Sequence, residues 1–331
     1  MYKNLKGIIL TIVLIIPISI YSSPGFSTYS VTLTKINEVL LPAPPVDITV
    51  NSGYAYIVCS GGDAGGVVAS VNLYDPLNIP PISTFPSLSD KPVNIAFNGS
   101  YAYIGQSDGM IKIANFKTRD YPTFTNYIDA VGKIVKMTID NGYLYLLRSD
   151  FGLNVYDVSV PDFPISKGVQ VVSGTATGLF VKNKYAFVTT QSANMSIIDI
   201  SQISKLPIIG NYISGINFYD VYVKDNYAYV SQGATGVQVI SVSQISSPVH
   251  ITNIFSRKFS KQVVISGYYT WVNDDNSIQS FYNIDPADQK WAGSYDNTGS
   301  SINKIDVEDG KYIYLCSSDN KLKVIQITYN Y

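Results

Sequence analysis

The chain has 331 residues, a formal net charge of −1 and a hydrophobic content of 46%. Charged residues make up only 14% of it, against about 25% in ordinary soluble domains, whereas Tyr, Ile, Val, Ser and Asn are abundant. This composition excludes a disordered chain, because there is enough apolar and aromatic material to build a core, and it favours strands over helices.

The first 25 residues have the layout of a secretory signal peptide. Lys3 and Lys6 precede an uncharged apolar run from Gly7 to Tyr21, and small residues follow in "SSPG". The run is short for a membrane span, which needs about 20 residues. We therefore predict cleavage near Gly25, an exported protein (secreted, periplasmic or at the cell surface) and no membrane span after cleavage. An uncleaved N-terminal anchor is the alternative.

Loss of the signal would make the remaining chain slightly acidic. Without Lys3 and Lys6, 21 basic residues face 24 acidic ones, a net charge of −3. A surface of this sign offers little to phosphate backbones, so we predict no nucleic-acid partner.

The mature chain, residues 26–331, is one unit repeated seven times. A Tyr-x-Tyr or similar pair begins at Tyr residues 54, 101, 143, 185, 227, 269 and 312, with intervals of 47, 42, 42, 42, 42 and 43 residues. The hydrophobic period within each unit is two, as in "VDITV" before the first pair, and turn sequences such as "NSG" separate the runs. This pattern predicts four short strands in each unit.

Four strands in about 42 residues, repeated seven times, predict an all-β, seven-bladed β-propeller of four-stranded antiparallel blades. The repeats start near residues 45, 92, 134, 176, 218, 260 and 302. The last repeat ends after its third strand, whereas residues 30–41, "SVTLTKINEVLL", form an extra strand-like run before the first. We predict that this run completes the last blade and closes the ring, since a closed ring leaves no open ends.

The repeated sequences resemble the LVIVD-repeat family. The resemblance rests on "NYAYV…GVQVISVSQISSP" and "GYLYLLRSDFGLNVYDVSVPDFP" and covers residues 45–331; the Asp that ends the β-rich run of the motif stands here as Asp75, Asp157 and Asp199, but is Ser241 and Gln326 in two other repeats. It implies a secreted or cell-surface propeller from a prokaryote, with a function that is usually unassigned.

One set of polar residues recurs at a fixed place in the repeats. Seven residues before each Tyr pair, or eight in the last repeat, stand Asp47, Asn94, Lys136, Gly178, Asp220, Gln262 and Lys304. They fall near the start of each innermost strand and so should surround the mouth of the central channel, where propellers commonly bind ligands. These residues could grip a ligand through two carboxylates and two ammonium groups, or they could be a hydrated lining whose charges satisfy one another.

Other candidate chemistry is sparse. His250 is the single histidine and falls in a predicted outer strand, which argues against a Ser-His-Asp hydrolase and excludes a multi-His metal centre. We predict no metal and no cofactor. Cys59 and Cys316 take equivalent positions in the first and last repeats, which would turn both to the same face of their own sheets. We therefore expect two buried free thiols, one facing the shared blade interface and the other facing away from it.

The sequence thus favours a binding or protein-interaction module over an enzyme. We expect the partner to be a protein or a small polar or glycan ligand, and the chain to be a monomer. Two alternatives remain. One is a lyase or hydrolase acting on a glycan or lactone with carboxylates and Tyr in place of His. The other is a structural cell-surface component.

Overall fold

Seven four-stranded antiparallel sheets make up the part of the chain that the computed structural model describes, residues 29–61, 65–119 and 122–330. The predicted signal peptide and residues 62–64 of the Gly-rich "SGGDAGG" loop lie outside these ranges. The first strands of the seven sheets are β2 (Pro45–Asn51), β6 (Pro92–Asn98), β10 (Ile134–Asp140), β14 (Ala176–Lys182), β18 (Asp220–Lys224), β22 (Ser260–Ser266) and β26 (Ile302–Glu308).

Each sheet continues outward through three more strands. The second strands are β3 (Tyr54–Ser60), β7 (Tyr101–Gln106), β11 (Tyr143–Arg148), β15 (Tyr185–Thr190), β19 (Tyr227–Ser231), β23 (Tyr269–Asp274) and β27 (Tyr312–Ser317). The third strands are β4 (Gly66–Asn72), β8 (Met110–Asn115), β12 (Gly152–Asp157), β16 (Asn194–Asp199), β20 (Val237–Ser241), β24 (Ser277–Tyr282) and β28 (Lys321–Asn330). The outermost strands are β5 (Ser83–Leu88), β9 (Thr123–Asp129), β13 (Ile165–Gln170), β17 (Ile208–Ile213), β21 (Val249–Ile254), β25 (Lys290–Asp296) and β1 (Ser30–Leu40).

The first strands contact one another in a cycle, which makes them the inner wall of a ring. Contacts run from β2 to β6 and onward through β10, β14, β18 and β22 to β26, which contacts β2 again. This arrangement is a seven-bladed β-propeller, as the repeat pattern predicts. The face of the ring on which the inner strands begin is called the upper face below.

The ring is closed by the N-terminal strand, which confirms the sequence prediction. β1 pairs antiparallel with β28, from Ser30 opposite Asn330 to Leu40 opposite Lys321, and takes the outermost place in the last blade. Val31 of this strand is buried against the core formed by the sixth and seventh blades. Burial of its side chain stabilises the closed ring by about 2 kcal/mol.

The Tyr pairs fill the spaces between blades, because residues two apart on a strand share one face. The second member is buried in every repeat, as in Tyr103, which is fully buried, and Tyr229. The buried hydroxyls find partners: that of Tyr103 donates to the carbonyl oxygen of Pro161 at 2.8 Å, and that of Tyr229 lies 3.1 Å from Oδ1 of Asn283.

The motif Asp residues are turn residues. Asp157 and Asp199 each end a third strand, and each accepts a hydrogen bond from the backbone N–H two positions later, at 3.0 and 2.8 Å.

Asp275 has a φ of 62° in the hairpin between the second and third strands of the sixth blade. This conformation favours Asn, Asp and Gly, so turn chemistry accounts for the acidic residue there.

Candidate functional site

A cavity of about 260 Å³ lies on the ring axis and is lined by residues of all seven inner strands. The six side chains predicted to surround the channel mouth all line it. Gly178 takes the seventh place and is buried without a side chain. These positions together are called the polar ring: Asp47, Asn94, Lys136, Gly178, Asp220, Gln262 and Lys304.

A β-bulge directs the polar ring into the channel. In six of the seven blades, the pairing of the first and second strands shifts immediately before the polar-ring residue, as between Pro45 and Asp47. A bulge re-aims the following side chain, and such features often occur beside functional sites. The shift has no distinctive sequence signal in this chain.

Three members of the polar ring connect neighbouring blades. Asp47 accepts a hydrogen bond from the backbone N–H of Ile95 at 3.2 Å, and Asn94 accepts one from Met137 at 2.6 Å. Asn94 also donates to the carboxylate of Asp47. These bonds tie the first blade to the second and the second to the third, which gives both side chains a structural task.

Gln262 makes the equivalent link between the sixth and seventh blades. Its amide oxygen accepts from the N–H of Ile305, and its amide nitrogen donates to the carbonyl oxygen of the same residue, both at 3.0 Å. The amide side chains of Asn94 and Gln262 are therefore bound to backbone, as is the carboxylate of Asp47. The charged members of the polar ring account for the electrostatic character of the cavity.

Lys136 and Asp220 form an ion pair across the fourth blade. The Lys136 ammonium lies 2.7 Å from Asp220 Oδ1, and the two side chains are 23% and 8% exposed. The fourth blade lies between them and contributes Gly178. A Cβ at Gly178 would come within 2.9 Å of the Asp220 Cα atom and 2.6 Å of Thr189 Oγ1. Only glycine fits this place without moving the backbone that carries Asp220.

Lys304 and Asp47 form a second, looser pair between the seventh and first blades. Their charged atoms are 3.9 Å apart. Burial raises the pKa of Asp47 above its ordinary value, and the Lys304 ammonium opposes part of that rise. The two ion pairs support the interpretation that charges in the lining satisfy one another, but they do not account for every charge in the cavity.

A further carboxylate in the cavity was missed by the sequence analysis. Asp306 stands two residues after Lys304 and so points to the same face of β26. Its oxygens accept from the backbone N–H groups of Val50 and Val307, both at 2.9 Å. Burial raises the pKa of Asp306, and those two hydrogen bonds oppose the rise. The period-two spacing could have identified it, had the search extended one step down each inner strand.

Asp306 belongs to a second ring, which lies one step deeper than the polar ring. Its most distinctive members are Phe180 and Tyr222, whose ring centroids are 4.6 Å apart and which both line the cavity. Burial raises the pKa of Tyr222, and the charge of Asp306 raises it further. The second ring consists of Thr49, Ala96, Thr138, Phe180, Tyr222, Val264 and Asp306.

The expectation about the two cysteines is half right. Both are free and buried, and burial raises the pKa of Cys59 to about 12. However, both thiols belong to one core between the first and last blades, so the prediction that one faces away is wrong. Cys59 stands five residues after Tyr54, whereas Cys316 stands four after Tyr312; that offset of one residue turns the side chain to the other face of its sheet.

The remaining candidates lie away from the axis. His250 is exposed on the outermost strand β21. Among the described residues, no group of three or more His, Cys, Asp and Glu side chains gathers as a metal site would. No helix in the same ranges is long and apolar enough to span a membrane.

The fold and the axial cavity define the class of protein, a β-propeller with a polar central channel. Comparison with known families then gives a closer assignment: the LVIVD repeat family matches residues 173–214 and 217–254, which are the fourth and fifth blades. These two matches and the seven-bladed ring fit an LVIVD-repeat β-propeller, which confirms the resemblance seen in the sequence. A search of the curated proteins gave no match.

Solved structures share the fold at low sequence identity. The β-propeller domain of Cps50 (Swd1) from Myceliophteria thermophila is similar with a TM-score of 0.71 and 9% identity, over 90% of this chain and 100% of that one. The computationally designed Ika8 protein is similar with a TM-score of 0.64 and 10% identity, over 88% of this chain and 99% of that one. At such identities, the likeness concerns architecture alone.

Proposed function

We propose that this protein is an exported binding module that recognises its partner at the upper face and the channel mouth. One observation supports this proposal most: charged side chains from four blades converge on the axial cavity, from Asp47, Lys136, Asp220, Lys304 and Asp306. Holding charges in a partly buried cavity costs free energy, so a fold built only for stability would favour apolar residues there. The partner is a protein loop or a small polar or glycan ligand.

Affinity capture from the native cell envelope tests this proposal. The bait is the chain with a C-terminal tag, and the test variant combines Asp47→Asn, Lys136→Met, Asp220→Asn and Lys304→Met. Asn retains an oxygen to accept the bond from the Ile95 N–H, so that the link between blades is preserved. We expect the unmodified bait to retain a partner or a small molecule and the variant to lose it.

The opposite end of the channel offers a matched control. Asp140, Lys182, Lys224 and Glu308 stand four residues after polar-ring positions, at the ends of four inner strands. Replacing them with Asn, Met, Met and Gln removes the same number of charges of each sign. Capture by this control at the unmodified level supports the proposal; identical capture by all three baits would place the binding surface elsewhere.

Export is part of the proposal and has its own test. It is supported by the charge and hydropathy pattern of residues 1–25. The intact mass of the protein from its native cells should correspond to a chain that begins near residue 26. A full-length mass in the cytoplasmic fraction would contradict export, and a full-length mass in the membrane fraction would favour the uncleaved anchor.

A second candidate function, catalysis by carboxylates and Tyr, is favoured by one observation. Asp47 and Asp306 line the same cavity, and the pKa of each is raised by burial, which is the condition for a carboxyl group to act as a general acid. A panel of glycans and lactones should then be turned over by the unmodified protein and not by Asp306→Asn. Turnover by both proteins alike would remove this candidate.

A further inference from the structure

The charges of the axial cavity do not balance. Three carboxylates line it, those of Asp47, Asp220 and Asp306, against the two ammonium groups of Lys136 and Lys304. The lysines are engaged by Asp220 and by Asp47. Among the described residues, no lysine or arginine makes a direct ion pair with Asp306; the Lys304 ammonium attracts the Asp306 charge only from a longer distance. One carboxylate is therefore left over, and a positive group would complement it.

The surroundings of Asp306 indicate the kind of positive group. Phe180 and Tyr222 line the same cavity, and their π faces attract cations, organic ammonium groups in particular. A hard metal ion such as Ca²⁺ is coordinated by six or more oxygen atoms, and aromatic rings do not supply such ligands. An anion would have to displace a carboxylate from Lys136 or Lys304.

Because a backbone N–H already holds each Asp306 oxygen, the carboxylate is fixed in place before any ligand arrives. A group positioned in this way loses little conformational freedom on binding. The cavity volume of about 260 Å³ is slightly smaller than that of ordinary drug-sized sites, which begin near about 300 Å³. It accommodates a small molecule and not a folded partner.

From this geometry we propose that the axial cavity binds a small organic cation, an ammonium compound held between the Asp306 carboxylate and the Phe180–Tyr222 pair. This inference rests on the proposed function, since it names the class of ligand that the channel takes. It assigns recognition to the second ring, and the polar ring above becomes the entrance.

Isothermal titration calorimetry on the purified full chain tests the ligand class with choline as the probe. The neutral isostere 3,3-dimethylbutan-1-ol, sodium acetate and calcium chloride serve as comparators. We expect saturable binding of choline with a dissociation constant below about 10 mM. The neutral isostere should bind about tenfold more weakly or worse, because it lacks the charge that Asp306 and the aromatic rings attract.

Three variants locate the site. Asp306→Asn should weaken choline binding by about tenfold or more, and Tyr222→Leu by about tenfold. Asp140→Asn makes the same chemical change at the far end of an inner strand and should leave binding unchanged. Circular dichroism verifies that each variant is folded; if Asp306→Asn is not, Tyr222→Leu decides.

Equal affinity for choline and its isostere, or unchanged binding by a folded Asp306→Asn, would overturn the proposal. So would the absence of choline binding by the unmodified protein. Binding of acetate or calcium without choline would overturn the ligand class, while capture of a partner that depends on the polar ring would still uphold the binding module. Choline binding by the unmodified protein without any capture that depends on the polar ring would uphold the ligand class and contradict the proposed binding module.

Discussion

Substituting Gly178 tests whether the Lys136–Asp220 ion pair across the fourth blade depends on glycine at this position. In Gly178→Ala, the new Cβ would come within 2.9 Å of the Asp220 Cα atom and 3.2 Å of the Val221 nitrogen. Backbone atoms cannot rotate away as a side chain can, so β18 must shift. The Lys136–Asp220 pair, now 2.7 Å long, should loosen with it.

The magnitude follows from two opposing effects. Overpacking of this kind costs about 1–3 kcal/mol, and replacing Gly by Ala regains about 0.4–1 kcal/mol by restricting the unfolded chain. The net loss is therefore about 1.3 kcal/mol at the middle of both ranges and at most about 2.6 kcal/mol. With an unfolding entropy of about 2.1 cal/mol/K per residue over about 300 residues, Tm falls by about 2 °C and at most about 4 °C. Gly105→Ala is the matched control, because the three atoms nearest to its Cβ would be side-chain atoms of Ile134 and Met137, at 3.1 to 3.3 Å.

Two assays read the outcome. Differential scanning calorimetry should show the lower Tm for Gly178→Ala and nearly none of that loss for Gly105→Ala. Amine acylation followed by mass spectrometry should show faster labelling of Lys136 relative to Lys182 in Gly178→Ala only. An unchanged Tm together with unchanged labelling of Lys136 would refute the steric reasoning.

Three further predictions concern ring closure and pH. Gly293→Ala places a Cβ within 2.3 Å of the Val31 carbonyl oxygen of the closing strand, so hydrogen exchange of β1 should accelerate severalfold while that of the inner strands is unchanged. Glu38 is paired at 2.6 Å with Lys321, and hydrogen bonds from Lys321 and Lys35 lower its pKa from 4.5 to about 2. The stabilisation by Glu38 is present above pH 4.5 and is lost as the pH falls toward 2. In Glu38→Gln, chemical denaturation at neutral pH should show a loss of stability below about 1 kcal/mol, because water screens a pair whose side chains are each 33% exposed. Burial raises the pKa of Asp47 above 3.8. The contribution of Asp47 to stability is therefore present below pH 3.8 and is lost as the pH rises through the pKa of the folded state. In Asp47→Asn, the urea midpoint should fall less steeply above pH 3.8 than it does in the unmodified protein.

Repetition explains why the architecture could be predicted from the sequence. Each of seven units shows the same period of two and the same turns, so the strand number, the ring and the closing strand follow from comparing the chain with itself. The polar ring follows too, because a fixed offset from the Tyr pairs places its members at equivalent points around one axis.

Details that depend on a single residue of register are lost when the repeats are treated as equivalent. The offset of one residue between Cys59 and Cys316 can be counted from the Tyr pairs, but ignoring it assigns one thiol to the wrong face of its sheet. The bulge before six of the seven polar-ring residues depends on backbone pairing that leaves no compositional trace. The contacts of Asp306 with the first blade join residues 256 positions apart, which a scan within each repeat does not detect.

The most direct test of the channel mouth as the binding site is lysine acylation of the protein with and without its captured partner or ligand. Lys136 and Lys304 line the channel, and Lys182 and Lys224 end two inner strands at the other end of it. We predict that occupancy slows labelling of Lys136 and Lys304 and leaves Lys182 and Lys224 unchanged. Protection of the second pair alone, or of neither, would contradict binding at the channel mouth.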